Sequence, residues 1–149
     1  MPVPAEYQRI YDHLYDFLQE VRDICDIETT HRSYTTIQGV FQTFRRRVDF
    51  AEAVGFSNLL PAGIRALFVA EWDLQESKLD FTSRTDLIHE IQYLRRGHNF
   101  APDTAIQDVA QALHRHVESD KLAKYLGNAA QQIQNYWNPK YRGDFLADA

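Results

Sequence analysis

Two short runs of basic residues carry the most concentrated charge in this sequence. Arg45, Arg46 and Arg47 are consecutive, and His114-Arg115-His116 forms the second run. Both runs lie where we predict helices to end, and a cation in a last turn stabilises the helix dipole by about 0.3–1 kcal/mol. Two interpretations stay open. The residues are helix-end cations, or they form an anion site that uses Arg45, Arg46, Arg47, His114 and His116.

A second candidate chemistry is metal binding by carboxylate and histidine pairs. Glu28 precedes His31 by three residues, as Asp86 precedes His89, and helical di-metal sites use this spacing because positions i and i+3 share a face. Roughly one such pair is expected by chance at this composition. Asp86 also follows Ser83 at capping-box spacing. We therefore expect no cofactor, and a metal-dependent enzyme with Glu28, His31, Asp86 and His89 is an alternative.

The sequence offers little for nucleophilic catalysis. Cys25 is the single cysteine, so it has no disulfide partner within the chain, and its place on an apolar helical stripe predicts a buried, inert thiol. Glycine-rich phosphate loops, nucleophile elbows and Cys-x-x-Cys pairs are absent from the sequence. We predict no catalytic residue and favour a non-enzymatic protein.

The composition narrows the possible partners. The 149 residues carry a formal net charge of −5, which disfavours specific nucleic-acid binding and attraction to anionic membranes. No run approaches the roughly 18 apolar residues of a membrane helix, and the first residues lack the pattern of a secretory signal. The sequence therefore predicts a cytoplasmic protein without a membrane partner.

Helical periodicity places these residues. An apolar stripe predicts a first helix over about residues 5–25. A second helix follows Thr29 and ends at the arginines, and Pro61 begins a helix that reaches Trp72. Residues 73–82 are polar and read as a connector. After them Ser83 begins another helix, which we expect Gly97 to end.

The second half of the chain repeats the order of the first. The stripe that contains Phe17 and Val21 aligns with Leu87 and Ile91, and Trp72 aligns with Trp137. We predict a single all-α domain over residues 1–149, with about eight helices in two similar four-helix halves that arose by internal duplication. The predicted parts are a first repeat (5–72), the connector (73–82), a second repeat (83–138) and a polar tail (139–149).

Most aromatic residues have the spacing that is typical of the buried face of an α-helix. We expect Trp72 and Trp137 to lie at the edge of the core. Tyr7, Tyr11 and Tyr15 flank the first stripe at intervals of four, and we also assign them to the core. The alternative is a groove lined by these tyrosines that receives a partner helix or a small apolar ligand.

The segment LPAGIRALFVAEWD at residues 60–73, with Arg46-Arg47-Val48, Ala51-Glu52-Ala53 and Leu59-Leu60-Pro61 before it, resembles the bacterial family called domain of unknown function 2267. The resemblance covers about residues 10–137. It implies an all-α fold of two similar halves, although Leu126-Gly127-Asn128 stands where many members repeat Leu-Pro.

The family has no established activity, so the resemblance leaves the function open. We predict a bacterial, non-enzymatic binding or protein-interaction module, with a protein partner or a homo-oligomer. The alternatives are the small-anion or small-ligand binder and the metal-dependent enzyme described above.

Overall fold

The computed structural model describes residues 3–94 and 101–146, and every regular element in these ranges is an α-helix. This confirms the all-α prediction. Gly97 lies outside the described residues. The helices are α1 (Ala5–Gln8), α2 (Ile10–Cys25), α3 (Thr30–Arg45), α4 (Phe50–Ser57), α5 (Ala62–Val69), α6 (Arg84–Tyr93), α7 (Ala105–His116), α8 (Ser119–Gly127) and α9 (Gln131–Tyr136).

The predicted first helix is two helices. Arg9 leaves helical geometry, with φ −114° and ψ 22°, and separates α1 from α2. Helix α2 ends at Cys25, and the next residue, Asp26, adopts the left-handed conformation with φ 54°. The break at Arg9 explains why the described residues form nine helices where the periodicity predicts about eight.

Helix α3 lies at the centre of the molecule and packs against α2, α5, α6 and α7. Every residue from Thr35 to Arg45 is buried, including polar side chains that a one-sided helix would leave in water. Local hydrogen bonds satisfy several of them: the Thr35 and Thr36 hydroxyls donate to the Arg32 carbonyl. The Ser33 hydroxyl donates to the Leu18 carbonyl of α2 at 2.8 Å.

Aromatic rings join the two parts of the chain. Trp137 is fully buried, and its ring stacks on Phe56 with centroids 4.7 Å apart and meets Phe44 edge-on at 5.2 Å. The Tyr136 hydroxyl donates to the Val40 carbonyl in α3 at 2.6 Å. The end of α9 is therefore built into the core around α3.

Two non-helical segments flank helices α6 to α9, one before α6 and one after α9. Residues 70–83 contain no helix and run from α5 to α6. The described part of the predicted polar tail, residues 139–146, also lacks helix, but it is anchored. Phe145 is fully buried, its N–H donates to the Thr82 carbonyl, and the Arg84 guanidinium lies 4.6 Å from the centroid of its ring.

The order of helices is compatible with two halves, α2 to α5 and α6 to α9, but the internal duplication stays a prediction. Within the described ranges, no helix has the length and apolar character that would be needed to cross a membrane.

Candidate functional site

Arg45, the first residue of the basic run, is buried against the end of α5. Its guanidinium donates to three backbone carbonyl oxygens, those of Phe68 at 2.7 Å, Ala70 at 2.8 Å and Glu71 at 3.0 Å. It also lies 5.3 Å from the centre of the Trp72 ring. Burial, reinforced by the neighbouring Arg46, lowers the Arg45 pKa from its ordinary value. The side chain therefore caps the carboxyl end of α5.

Arg47 and Arg46 meet a carboxylate on α6. Arg47 holds both carboxylate oxygens of Glu90, at 2.7 and 3.0 Å, and also donates to the Asp80 and Thr43 carbonyls. Arg46 lies 3.5 Å from the same carboxylate. Burial by itself would raise the Glu90 pKa, but hydrogen bonding and charge from Arg47 and Arg46 outweigh it and lower the pKa below its usual value.

The second basic run has matching partners. A His114 ring nitrogen lies 2.8 Å from the Trp137 carbonyl at the end of α9. Arg115 donates to one oxygen of Glu20 at 2.7 Å, and His116 contacts the other oxygen. Glu20 on α2 thus holds two members of this run, as Glu90 on α6 holds two members of the first.

The structure therefore brings the five predicted anion-site residues to two carboxylates and two helix ends. An incoming anion would compete with these partners, and the anion site stays a prediction. Glu20 and Glu90 do not stand out by residue type or by local spacing in the sequence. The repeat alignment does carry a signal for them, because the register that pairs Phe17 with Leu87 also pairs Glu20 with Glu90.

The predicted metal-binding pairs lie on exposed surface. Glu28 is 3.8 Å from Arg32 in an ion pair, and the His31 ring lies 6.3 Å from the ring of Tyr34. The N–H of Asp86 donates to the Ser83 hydroxyl, which caps α6, and His89 is exposed on the same helix. The described part of the chain holds no group of three or more metal-ligating side chains.

Cys25, the last residue of α2, is buried next to Asp108 of α7. Burial, together with the nearby Asp108 carboxylate, raises its pKa well above the ordinary value. Asp108 in turn accepts a hydrogen bond from the Thr104 hydroxyl. A thiol held in its protonated form is a poor nucleophile, in agreement with the inert thiol expected from the sequence.

The tyrosine face, which we define as Tyr7, Tyr11 and Tyr15, is exposed. The exposed fractions of the three residues are 46%, 73% and 37%, and the rings of Tyr11 and Tyr15 stack with centroids 5.9 Å apart. The core prediction is therefore wrong for these residues. Tyr15 is two residues from the buried Phe17, which is about 200° around the helix, so the two side chains point to opposite sides.

A family model described as "Uncharacterized conserved protein (DUF2267)" matches residues 15–134, which include all of α3 to α8. Comparison with curated proteins finds no significant match.

Proposed function

This chain belongs to the DUF2267 family, and we propose that it is a non-enzymatic protein-interaction module whose tyrosine face binds a basic segment of a partner protein. The observation that carries this proposal is the exposure of Tyr7, Tyr11 and Tyr15 on α1 and α2. The other side of α2 packs against α3, α5 and α7. The tyrosine face is thus a side of α2 that remains available to a partner.

Tyrosine suits such a surface. Its ring supplies a large apolar area with few rotatable bonds, and its hydroxyl tolerates water, so tyrosine is enriched at interfaces and at their energetic hot spots. The stacked rings of Tyr11 and Tyr15 fix one another before any partner arrives. Less conformational freedom is then lost on binding.

The charge around the tyrosines indicates a basic partner. Asp12 and Asp16 are exposed on the same helix, and neither carboxylate forms an ion pair within the described ranges. Arginine or lysine side chains of a partner would pair with these carboxylates and lie over the tyrosine rings, a cation–π contact of about 0.5–1 kcal/mol at an exposed site. Association would then weaken with added salt.

Site-specific photo-crosslinking in cells that produce the protein tests the proposal. A photo-reactive phenylalanine replaces Tyr11, and Tyr93, which is 77% exposed on α6, provides the matched control position. We expect a crosslinked partner at position 11 that is absent at position 93. The crosslinked segment is expected to be rich in lysine and arginine.

The variant with Tyr15→Ala and Asp16→Asn should reduce this crosslink at least tenfold, since the loss of two contacts worth about 1 kcal/mol each weakens binding by about thirtyfold. Failure of position 11 to crosslink beyond the control position would overturn the interaction module. A crosslink to a second copy of the chain would overturn the proposal that the partner is a separate basic protein, and it would identify a homo-oligomer.

We also infer the internal duplication of the fold. Helix α2 packs against α7 as α6 packs against α3. In the middle of each half the repeat alignment has an offset of 69 positions, which pairs Arg45-Arg46-Arg47 with His114-Arg115-His116. Arg47 and His116 bind the paired carboxylates Glu90 and Glu20. Arg45 and His114 are likewise paired, and each contacts a carbonyl at the end of the last helix of its half. Shared partners at aligned positions support one ancestral unit.

The cellular setting that we propose is the bacterial cytoplasm. There a lone buried thiol such as Cys25 stays reduced and needs no disulfide partner.

A further inference from the structure

We propose that the groove between α4 and α8 binds a small amphipathic carboxylate, a molecule with an aliphatic body and one anionic head. The groove has a volume of about 450 Å³, which is within the usual range for small-molecule sites. Its walls come from the two halves of the chain, α4 from the first and α8 from the second. It shares no residue with the tyrosine face, so this inference stands apart from the proposed interaction module.

The interior of the groove is apolar. Leu59, Tyr125 and Ala129 line it and pack against the hydrophobic core behind it. The Tyr125 hydroxyl is already used, because it donates to the Glu52 carbonyl at 3.0 Å. The exposed part of the ring therefore offers an apolar surface, which suits an aliphatic chain better than a polar ligand.

Gly55 lines the α4 wall of the groove and adds no side chain to it. A glycine inside a helix is destabilising relative to alanine, and the contacts of an added Cβ give no packing reason for it. A Cβ added at Gly55 would meet the Tyr125 ring at 3.5 Å, an ordinary contact, and the backbone there is not left-handed. Neither steric contacts nor backbone conformation requires a glycine at position 55. A glycine there does leave space for a ligand beside the Tyr125 ring.

Charge at the rim selects the head group. Lys121 and Lys124 lie on the α8 side. Lys121 pairs with Glu118 at 3.1 Å, whereas Lys124 has no ion pair among the described residues. The carboxylate of Glu52 stands on the opposite wall and disfavours an anion there. A carboxylate head would thus lie towards the lysines of α8, whose methylene stems extend the apolar surface.

Octanoate is the probe, used below its micelle-forming concentration, with octanol as the uncharged comparison. Titration calorimetry on the wild-type protein should show saturable binding of one octanoate per chain, and octanol should bind more weakly. Lys124→Met, which removes the charge but keeps an apolar stem, should reduce octanoate affinity by about threefold to fivefold, as expected for one exposed ion pair. It should leave octanol binding unchanged. Lys140→Met, which removes the charge of an exposed lysine outside the groove, is the matched control.

Gly55→Leu should fill the groove and reduce octanoate affinity at least tenfold. Gly55→Ala adds only one methyl group. It should raise the thermal midpoint of the free protein and weaken octanoate binding, a combination that a purely structural glycine would not show. Circular dichroism verifies that both variants are folded. Absence of saturable octanoate binding to the wild-type protein would overturn the site, as would equal affinity in Gly55→Leu. Equal binding of octanol and octanoate would overturn the recognition of the carboxylate.

Discussion

Arg47 connects three segments of the chain through one side chain. It bonds to Glu90 on α6, to the Thr43 carbonyl on α3 and to the Asp80 carbonyl in the segment before α6. Only 6% of its side chain is exposed, so a substitution leaves buried acceptors without a donor. We expect Arg47→Ala to lower the free energy of unfolding by about 3 kcal/mol, the usual cost of breaking a buried ion pair.

Urea denaturation measures this change. Arg46→Ala is the matched control, since Arg46 meets the same carboxylate at 3.5 Å but is more exposed, and we expect a loss below about 1 kcal/mol. Equal losses in the two variants would contradict the special role of Arg47.

The Glu90 carboxylate makes part of this stability depend on pH. Its pKa in the folded protein is lowered: burial opposes ionisation, but Arg47 and Arg46 outweigh it. A carboxylate with a lowered folded pKa contributes stability above its unfolded pKa, and this contribution is lost as the pH falls through the folded value. We therefore expect Glu90→Gln to destabilise the protein at neutral pH. The difference from wild type should shrink as the pH falls below the ordinary glutamate range.

Thermal unfolding of both proteins between pH 7 and pH 3 checks this prediction. Glu76→Gln is the control, because Glu76 is an exposed partner of Arg46 at 3.3 Å. A difference between Glu90→Gln and wild type that stays constant with pH would count against the ion pair as its origin.

The sequence identifies the individual basic residues, but it does not reveal which groups they contact. A run of arginines at a predicted helix end is visible from local spacing alone. The partner of Arg47 is 43 positions away, and only packing of α3 against α6 brings the two together. The error for Tyr11 and Tyr15 has a related cause: four-residue spacing shows that they share a side of α2, but not which side the other helices cover.

The crossing of α2 and α5 depends on one glycine. A Cβ at Gly63 would lie 3.1 Å from the Cβ of Leu14 and 3.2 Å from the backbone oxygen of Ile10. Main-chain atoms in a helix cannot yield easily, so we expect Gly63→Ala to push the helices apart. A loss of about 1–3 kcal/mol is typical of such overpacking.

Gly127→Ala is the matched control in α8, because nothing lies within 4 Å of an added Cβ there. It should be neutral or stabilise the protein by up to about 1 kcal/mol. Urea denaturation of both variants measures the contrast, and a neutral Gly63→Ala would show that the crossing has room to spare.

Sequence patterns predict this pair of helices with uneven success. Pro61 correctly marks the start of α5, which begins at Ala62, because proline suits a helix start for local reasons. The close approach at Gly63 depends on where α2 lies, and no local pattern encodes that. Helix α3 shows the same limit: its apolar stripe predicts one buried face, whereas burial from Thr35 to Arg45 results from helices on all sides.

The two halves of the molecule complete each other's core. Helix α3 belongs to the first half but packs against α6 and α7 of the second, and α2 packs against α7. The rings of Phe44 and Phe56 contact Trp137. A chain cut in the connector would expose this apolar surface and leave Arg47 without Glu90. A fragment of fewer than 80 residues has a small margin of stability even with an intact core.

We therefore expect neither residues 1–77 nor residues 78–149 to fold alone. Each fragment should show weak helical circular dichroism, poorly dispersed amide resonances and no cooperative thermal transition. Mixing the two should restore the helical signal and a cooperative transition, since the contacts that hold the halves together are not covalent. Trp137→Ala in the second fragment should prevent this recovery, because its ring packs against both Phe44 and Phe56 of the first fragment. Lys140→Ala, three residues away and exposed, should leave it intact. Cooperative unfolding of the first fragment by itself would show instead that each repeat is an autonomous unit.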